Sequence, residues 1–142
     1  MSTTTVPHKV TSTDVEPNRR RGGDLRVMLS PKTVGATSGF MGSGRLEGGE
    51  YVAEHYHPHS EEFLYVTSGT IKVRLDGVPV ELGPDEAIMI PIGMRHRIEN
   101  PDEQPATVVF HLSPLAPRPN LGHVDCEELP GPGSLPEVGG TS

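Results

Sequence analysis

Short runs in which apolar and polar residues alternate with a period of two recur along the chain, each closed by Gly, Pro, Asn, Asp or Ser. That rhythm predicts strands with one buried face. It predicts them at Asp24 to Leu29, Glu50 to His57, Glu62 to Val66, Thr70 to Leu75, Val78 to Leu82, Glu86 to Ile90, Met94 to Glu99 and Ala106 to Leu112. In the second run the alternation puts Tyr51, Ala53, His55 and His57 on one face. The Thr67-Ser68-Gly69 turn predicts a hairpin between the third and fourth runs, and Asp76-Gly77 predicts another between the fourth and fifth. Between Lys32 and Gly44 the sequence TVGATSGFMGSG hardly alternates, and its glycines suggest bulges or close backbone approach. Strands this short at this spacing indicate an all-β sandwich or barrel.

The flanks lack the pattern. Residues 1–23 are polar and Thr-rich and read as a flexible arm, whereas Pro114, Pro117, Pro119, Pro130, Pro132 and Pro136 crowd the other end. There Pro114 to Asn120 is expected to lie extended along the barrel, and 124–142 to form a disordered tail. The expected domain is 24–123. With 142 residues there is room for one domain, and 17 Gly with 15 Pro disfavour a helical protein.

Composition narrows the function classes. A net charge of −7 argues against a nucleic-acid partner, and Arg19-Arg20-Arg21 reads as solvated charge. No run is apolar enough to span a bilayer and no signal peptide is visible, so a cytoplasmic protein without membrane contact is expected. The single Cys126 has no internal partner and is expected to be an inert thiol.

The chemistry gathers in GEYVAEHYHPHSEEFLYVTSG and in PIGMRHRIEN. Residues two apart in a strand point the same way, roughly 7 Å apart, so His55 and His57 can reach one ion. Glu62 follows after a short turn as the favoured carboxylate, with Glu61 in reserve, and His96 enters after the Pro91-Ile92-Gly93 turn. Three imidazoles and a carboxylate suit Zn, Fe(II), Mn, Ni or Co, and donor type alone does not choose among them. His59 lies in the turn and suits a rim role, and His111, within ATVVFHL, faces either solvent or the interior. If inward, it is a candidate general base or fourth histidine. His8 and His123 fall in the flanks and are given no role. Phe40, Met41, Tyr51, Phe63, Tyr65, Met89 and Met94 are the large side chains available to wall a cavity.

Together the two segments resemble the paired motifs of the cupin superfamily. Gly49, His55, His57, Glu62 and Gly69 match G(x)5HxH(x)4E(x)6G, and Pro91, Gly93, His96 and Asn100 match G(x)5PxG(x)2H(x)3N. The opening Gly of the second motif falls on Asp85, with Gly83 two residues earlier, which suggests a lengthened turn. More widely, KTVGATSGFMG and VVFHLSPLAPRPNLGHVD make the chain similar to small single-domain cupins of type II aromatic polyketide pathways, of the resistomycin, tetracenomycin and spore-pigment type. The resemblance implies a jelly-roll barrel and a polyketide cyclase that closes a poly-β-ketone by intramolecular aldol chemistry. It also implies one divalent metal, zinc favoured, on His55, His57, Glu62 and His96, although the resistomycin-type site is all-histidine. A base at His59 or His111, a homodimer, and contacts with polyketide synthase components complete the expectation. A cupin oxygenase and a non-catalytic accessory protein are the alternatives.

Overall fold

A computed structural model describes residues 8–131. Its strands are β1 (Asp24–Leu29), β2 (Phe40–Leu46), β3 (Tyr51–Tyr56), β4 (Glu61–Ser68), β5 (Ile71–Leu75), β6 (Val78–Leu82), β7 (Ala87–Ile90), β8 (His96–Glu99), β9 (Ala106–Ser113) and β10 (Val124–Asp125). They form two five-stranded antiparallel sheets, ordered β1-β2-β9-β4-β7 and β10-β3-β8-β5-β6. Side chains from both inner faces, among them Leu46, Val52, Leu64, Val66, Ile71, Val73, Ile98 and Val108, make the main core. Val27, Phe40 and Leu112 form a second, smaller cluster. This is the expected all-β jelly roll, the double-stranded β-helix of cupins. Among the described residues no helix is long and apolar enough to cross a membrane.

Several local expectations are corrected. The Gly-rich stretch before Leu46 holds a single helical turn, α1 (Pro31–Val34), with a capping box between Ser30 and Thr33, and then the full strand β2. The alternation is hidden there because two inward positions are glycines: a Cβ on Gly42 would stand 2.2 Å from the Arg26 carbonyl oxygen. The expected hairpin at Thr67-Ser68-Gly69 does not form, since β4 pairs with β7 and β9 while β5 pairs with β6 and β8. This turn carries the chain from one sheet to the other. The Asp76-Gly77 hairpin is present, with Leu75 opposite Val78.

Asp85 has φ of 65°, so it adopts the left-handed conformation that glycine fills elsewhere. The second motif therefore keeps its turn with Asp in the Gly position, held by the Asp85 amide to Val66 O (2.8 Å) and by Tyr65 Oη donating to Asp85 Oδ1 (2.6 Å).

The flanks are also more ordered than their composition suggests. Asn18 bridges to Leu25, Asn18 and Arg21 are buried, and Arg21 O accepts the Ala53 amide at 2.8 Å. On the other side Val124 and Asp125 pair with Tyr56 and His55, and the Gly131 amide reaches Arg20 O at 3.0 Å. Neither 18–23 nor 124–131 behaves as a free flank, because each supplies hydrogen-bond partners to β3. The expectations for residues 1–7 and 132–142 lie outside the described residues.

Candidate metal centre

The cluster depends on an irregularity in β3. Val52 faces Ile98 and His55 faces His96, so three steps on β3 match two on β8 and one residue is extra. Such a bulge switches the face of every residue after it. Val52 and His55 both point inward, and the single-face reading of Tyr51, Ala53, His55 and His57 is corrected: Tyr51 lies outside with the Arg97 guanidinium 4.0 Å over its ring. The bulged backbone is satisfied from the flanks, by Ala53 N to Arg21 O, Glu54 N to Glu127 Oε2 (2.6 Å) and Cys126 N to Glu54 O (2.9 Å).

His57 follows β3, Glu62 is the second residue of β4, and His96 opens β8. The Gly93 amide donates to His57 O at 2.9 Å, which fastens the second motif to the first, and Gly93 takes φ of 80° in that turn. At the far end of both strands the buried Asn100 donates from Nδ2 to Leu46 O (2.9 Å) and Gln104 O (2.8 Å), fixing where they begin and end.

The ligand atoms of His55, His57, Glu62 and His96 all lie within 4.8 Å of one another. Each histidine turns Nδ1 to a backbone carbonyl: His55 to Ala53 (2.7 Å), His57 to Gly122 (2.9 Å) and His96 to Met94 (3.0 Å). A carbonyl only accepts, so Nδ1 carries the hydrogen and each Nε2 is left to face the centre. The Nε2 atoms of His57 and His96 stand 3.1 Å from Glu62 Oε1. Unprotonated Nε2 and carboxylate oxygen are both acceptors, and they tolerate this approach only with positive charge between them. A divalent cation fits that requirement, with three Nε2 atoms and one carboxylate oxygen as donors.

Electrostatics agree with the donor chemistry. Burial would raise the Glu62 carboxyl, but the hydrogen bonds and charges of His57 and His96 hold it below the ordinary carboxylate range. Burial, then the charges of His96 and His57, keep His55 well below the usual imidazole value and therefore neutral. Burial also opposes charge on His96, yet the Glu62 hydrogen bond raises it. This is the proton-held form of a pair that a cation would bridge.

An apolar cavity opens over the cluster, lined by Val27, Phe40, Leu46, Leu64, Phe110 and Leu112 among others, with His55, His57 and Glu62 at its polar end. Of the seven proposed wall residues only Phe40 lines it. Phe63, Tyr65 and Met89 stand half-exposed on the outer face of the β4 sheet, and Met41 is half-buried off the cavity. Met94 packs on the main core.

The two expected catalytic bases are corrected as well. His59 is exposed in the turn after β3. His111 is exposed on the outer face beside Phe63 (ring centroids 5.9 Å), because Ala106, Val108 and Leu112 take the inward positions of β9. Neither lines the cavity. Arg21 and Asn18 do, and both were assigned to the arm. His123, given no role, is 13% exposed and lies 3.7 Å from Asp125.

The cupin domain family model matches residues 43–112. "Polyketide synthase CurC" of Streptomyces cyaneus is 58% identical over 121 residues, covering 85% of this chain and 79% of the relative. "Tetracenomycin polyketide synthase protein TcmJ" of Streptomyces glaucescens is 52% identical over 133 residues, 93% and 89% of the two chains. Among solved structures, the polyketide cyclase RemF from Streptomyces resistomycificus superposes with a TM-score of 0.66 at 23% identity, over 87% of this chain and 88% of that one. An oxalate oxidase bound to glycolate reaches 0.71 at 18%, over 88% and 67%. Likeness at these identities carries the fold alone, whereas identity above one half along most of both chains carries kinship. This chain belongs to the cupin family, beside these polyketide synthase-associated proteins.

Proposed function

We propose that this protein is a metal-dependent polyketide cyclase, catalysing intramolecular aldol closure and aromatisation of a poly-β-ketone. The observation that carries the reading is the meeting of the ligand atoms of His55, His57, Glu62 and His96 beside a largely apolar cavity that His55, His57 and Glu62 help to line. Kinship with polyketide synthase-associated proteins supports a polyketide as the substrate class. A divalent ion, zinc first and Fe(II), Mn, Ni or Co next, would be held by His55, His57, Glu62 and His96. When bound, it would supply Lewis acidity at a ketone oxygen.

The chain's own residues do the rest. Carbonyl acceptors at Ala53, Gly122 and Met94 lock the three imidazoles, so the donor set is preorganised before substrate enters. Val27, Phe40, Leu64 and Leu112 exclude water and confine the flexible chain so that the carbons to be joined meet, a proximity effect. Of the described lining residues, His55 and His57 hold their Nδ1 hydrogens on carbonyls and would give Nε2 to the ion, so neither keeps a free lone pair. The Glu62 carboxylate, through the oxygen not given to the ion, is the acceptor left for the methylene proton, in place of His59 or His111.

The same reading places the protein in the cytoplasm with the synthase components as partners, and as a homodimer. The half-exposed Phe63, Tyr65 and Met89 on one outer face support association, which light scattering tests.

Elemental analysis of the purified chain, followed by an anaerobic assay on nascent poly-β-ketone, tests the function. About one metal per chain and ring closure without O2 are expected, both lost in His57→Ala. Stoichiometric O2 consumption with Fe(II) would replace the cyclase by an oxygenase. Undiminished pathway output from His57→Ala would leave an accessory binding protein.

A further inference from the structure

Glu127 falls in the segment whose composition predicts a disordered tail, yet one of its carboxylate oxygens spans the irregularity on which the cluster depends. Between the pairs of Val52 with Ile98 and His55 with His96, Ala53 and Glu54 of β3 stand against Arg97 alone on β8. Glu127 Oε2 accepts from both sides of that bulge, from the Glu54 amide at 2.6 Å and from Arg97 Nε at 2.9 Å. Glu54 directly precedes His55, and Arg97 directly follows His96. One oxygen on the outer face thus holds the chain neighbours of two facing ligands, whose ring centroids lie 4.4 Å apart within the cluster. Arg97 is itself seated between Glu99 and the Tyr51 ring, so the oxygen ties the bulge to a fixed group.

A bulge leaves its extra residue without ladder partners. Here the Glu127 carboxylate takes the Glu54 amide, and the Cys126 amide donates to the Glu54 carbonyl at 2.9 Å. Were β3 to return to regular register after Val52, each following residue would change face and His55 would turn away from the cluster. A part-exposed ion pair adds little to stability, and Glu127 and Arg97 are 30% and 26% exposed. What the pair supplies is register. We propose that Glu127 is a positioning residue of the metal centre: by tying the Glu54 amide to Arg97 across the bulge, it keeps His55 turned inward opposite His96. This role rests on the metal-binding half of the proposed function and is independent of the reaction catalysed.

The probe is Co(II), titrated into the full-length, metal-free protein against a competing chelator, with the Glu54 amide followed by hydrogen exchange before metal is added. Glu127→Ala is expected to bind Co(II) roughly tenfold to a hundredfold more weakly, the range for losing a group that orients a metal ligand. In the same variant the Glu54 amide should exchange at least about tenfold faster. Glu127→Gln keeps an oxygen acceptor of the same reach and should recover most of both losses. Arg97→Met should weaken Co(II) binding by a smaller factor, and combined with Glu127→Ala the two effects should fall short of multiplying, because they act through one oxygen. Should Glu127→Ala not fold, Glu127→Asp, which keeps the charge on a side chain one methylene shorter, replaces it. Weaker Co(II) binding in Glu127→Asp than in Glu127→Gln supports positioning, and the reverse order overturns it. Wild-type Co(II) affinity in Glu127→Ala would overturn it too, leaving Glu127 as a tie for β10 however much stability is lost. A wild-type chain that takes up no Co(II) would remove the role together with the metal centre. Glu127-dependent Co(II) binding by a chain that leaves poly-β-ketone uncyclised would sink the cyclase reading alone.

Discussion

The two faces of the β4 and β9 pair differ by one step along the strand and by everything in chemistry. Inward stand Glu62, Leu64 and Val66 with Val108 and Leu112; outward stand Phe63, Tyr65 and His111. Glu62 is a buried carboxylate under two imidazoles, while His111, across the ladder from Phe63, meets solvent. Residue type therefore says little here about role. The period of two, counted from the core, assigns it.

The strongest way to break this contrast is at the inner face. His96→Ala or Glu62→Ala should abolish stoichiometric metal and lower cyclisation by at least about a hundredfold, read by elemental analysis and product yield. Next comes packing. Leu64→Ala, 1% exposed in the wild type, should cost about 2–5 kcal/mol in urea unfolding. Its outer neighbour Phe63→Ser should cost less than half as much.

A smaller effect sharpens the comparison beside β10. Burial, and then the Arg21 charge, hold His123 down at about 4 against 6.5 for the free side chain. The unfolded chain takes up this proton first, so the contribution to stability is present above about pH 6.5, declines as the pH falls, and levels off near 4. Urea midpoints followed from pH 7 to pH 4 should drop less steeply in His123→Gln than in wild type. Smallest of all, His111→Ala and His59→Ala should change neither metal content nor turnover and should shift stability by no more than about 0.5 kcal/mol.

The strands with ordinary alternation were legible because their burial is decided locally, and the four cluster residues were legible because their spacing is fixed by turns at Pro58 and at Gly93. What escaped was decided at a distance. The β3 bulge exists because Ala53 and Glu54 find partners on Arg21 and Glu127, far away in sequence, and no periodicity within 50–57 encodes that. Arg21 and His123 looked like flank residues for the same reason: their surroundings come from other elements. At Asp85 the reading failed differently, since a residue that tolerates positive φ replaced glycine and kept the turn intact.

His57 Nδ1 leans on the Gly122 carbonyl, and β10 lies directly beyond it. Anyone trimming this protein for crystallisation, or grafting the barrel into another host, would naturally cut after the last long strand at Ser113. That excision would remove the peg that sets the tilt of one imidazole. A workable minimal unit runs from about residue 18 to 131, and affinity tags belong outside both limits.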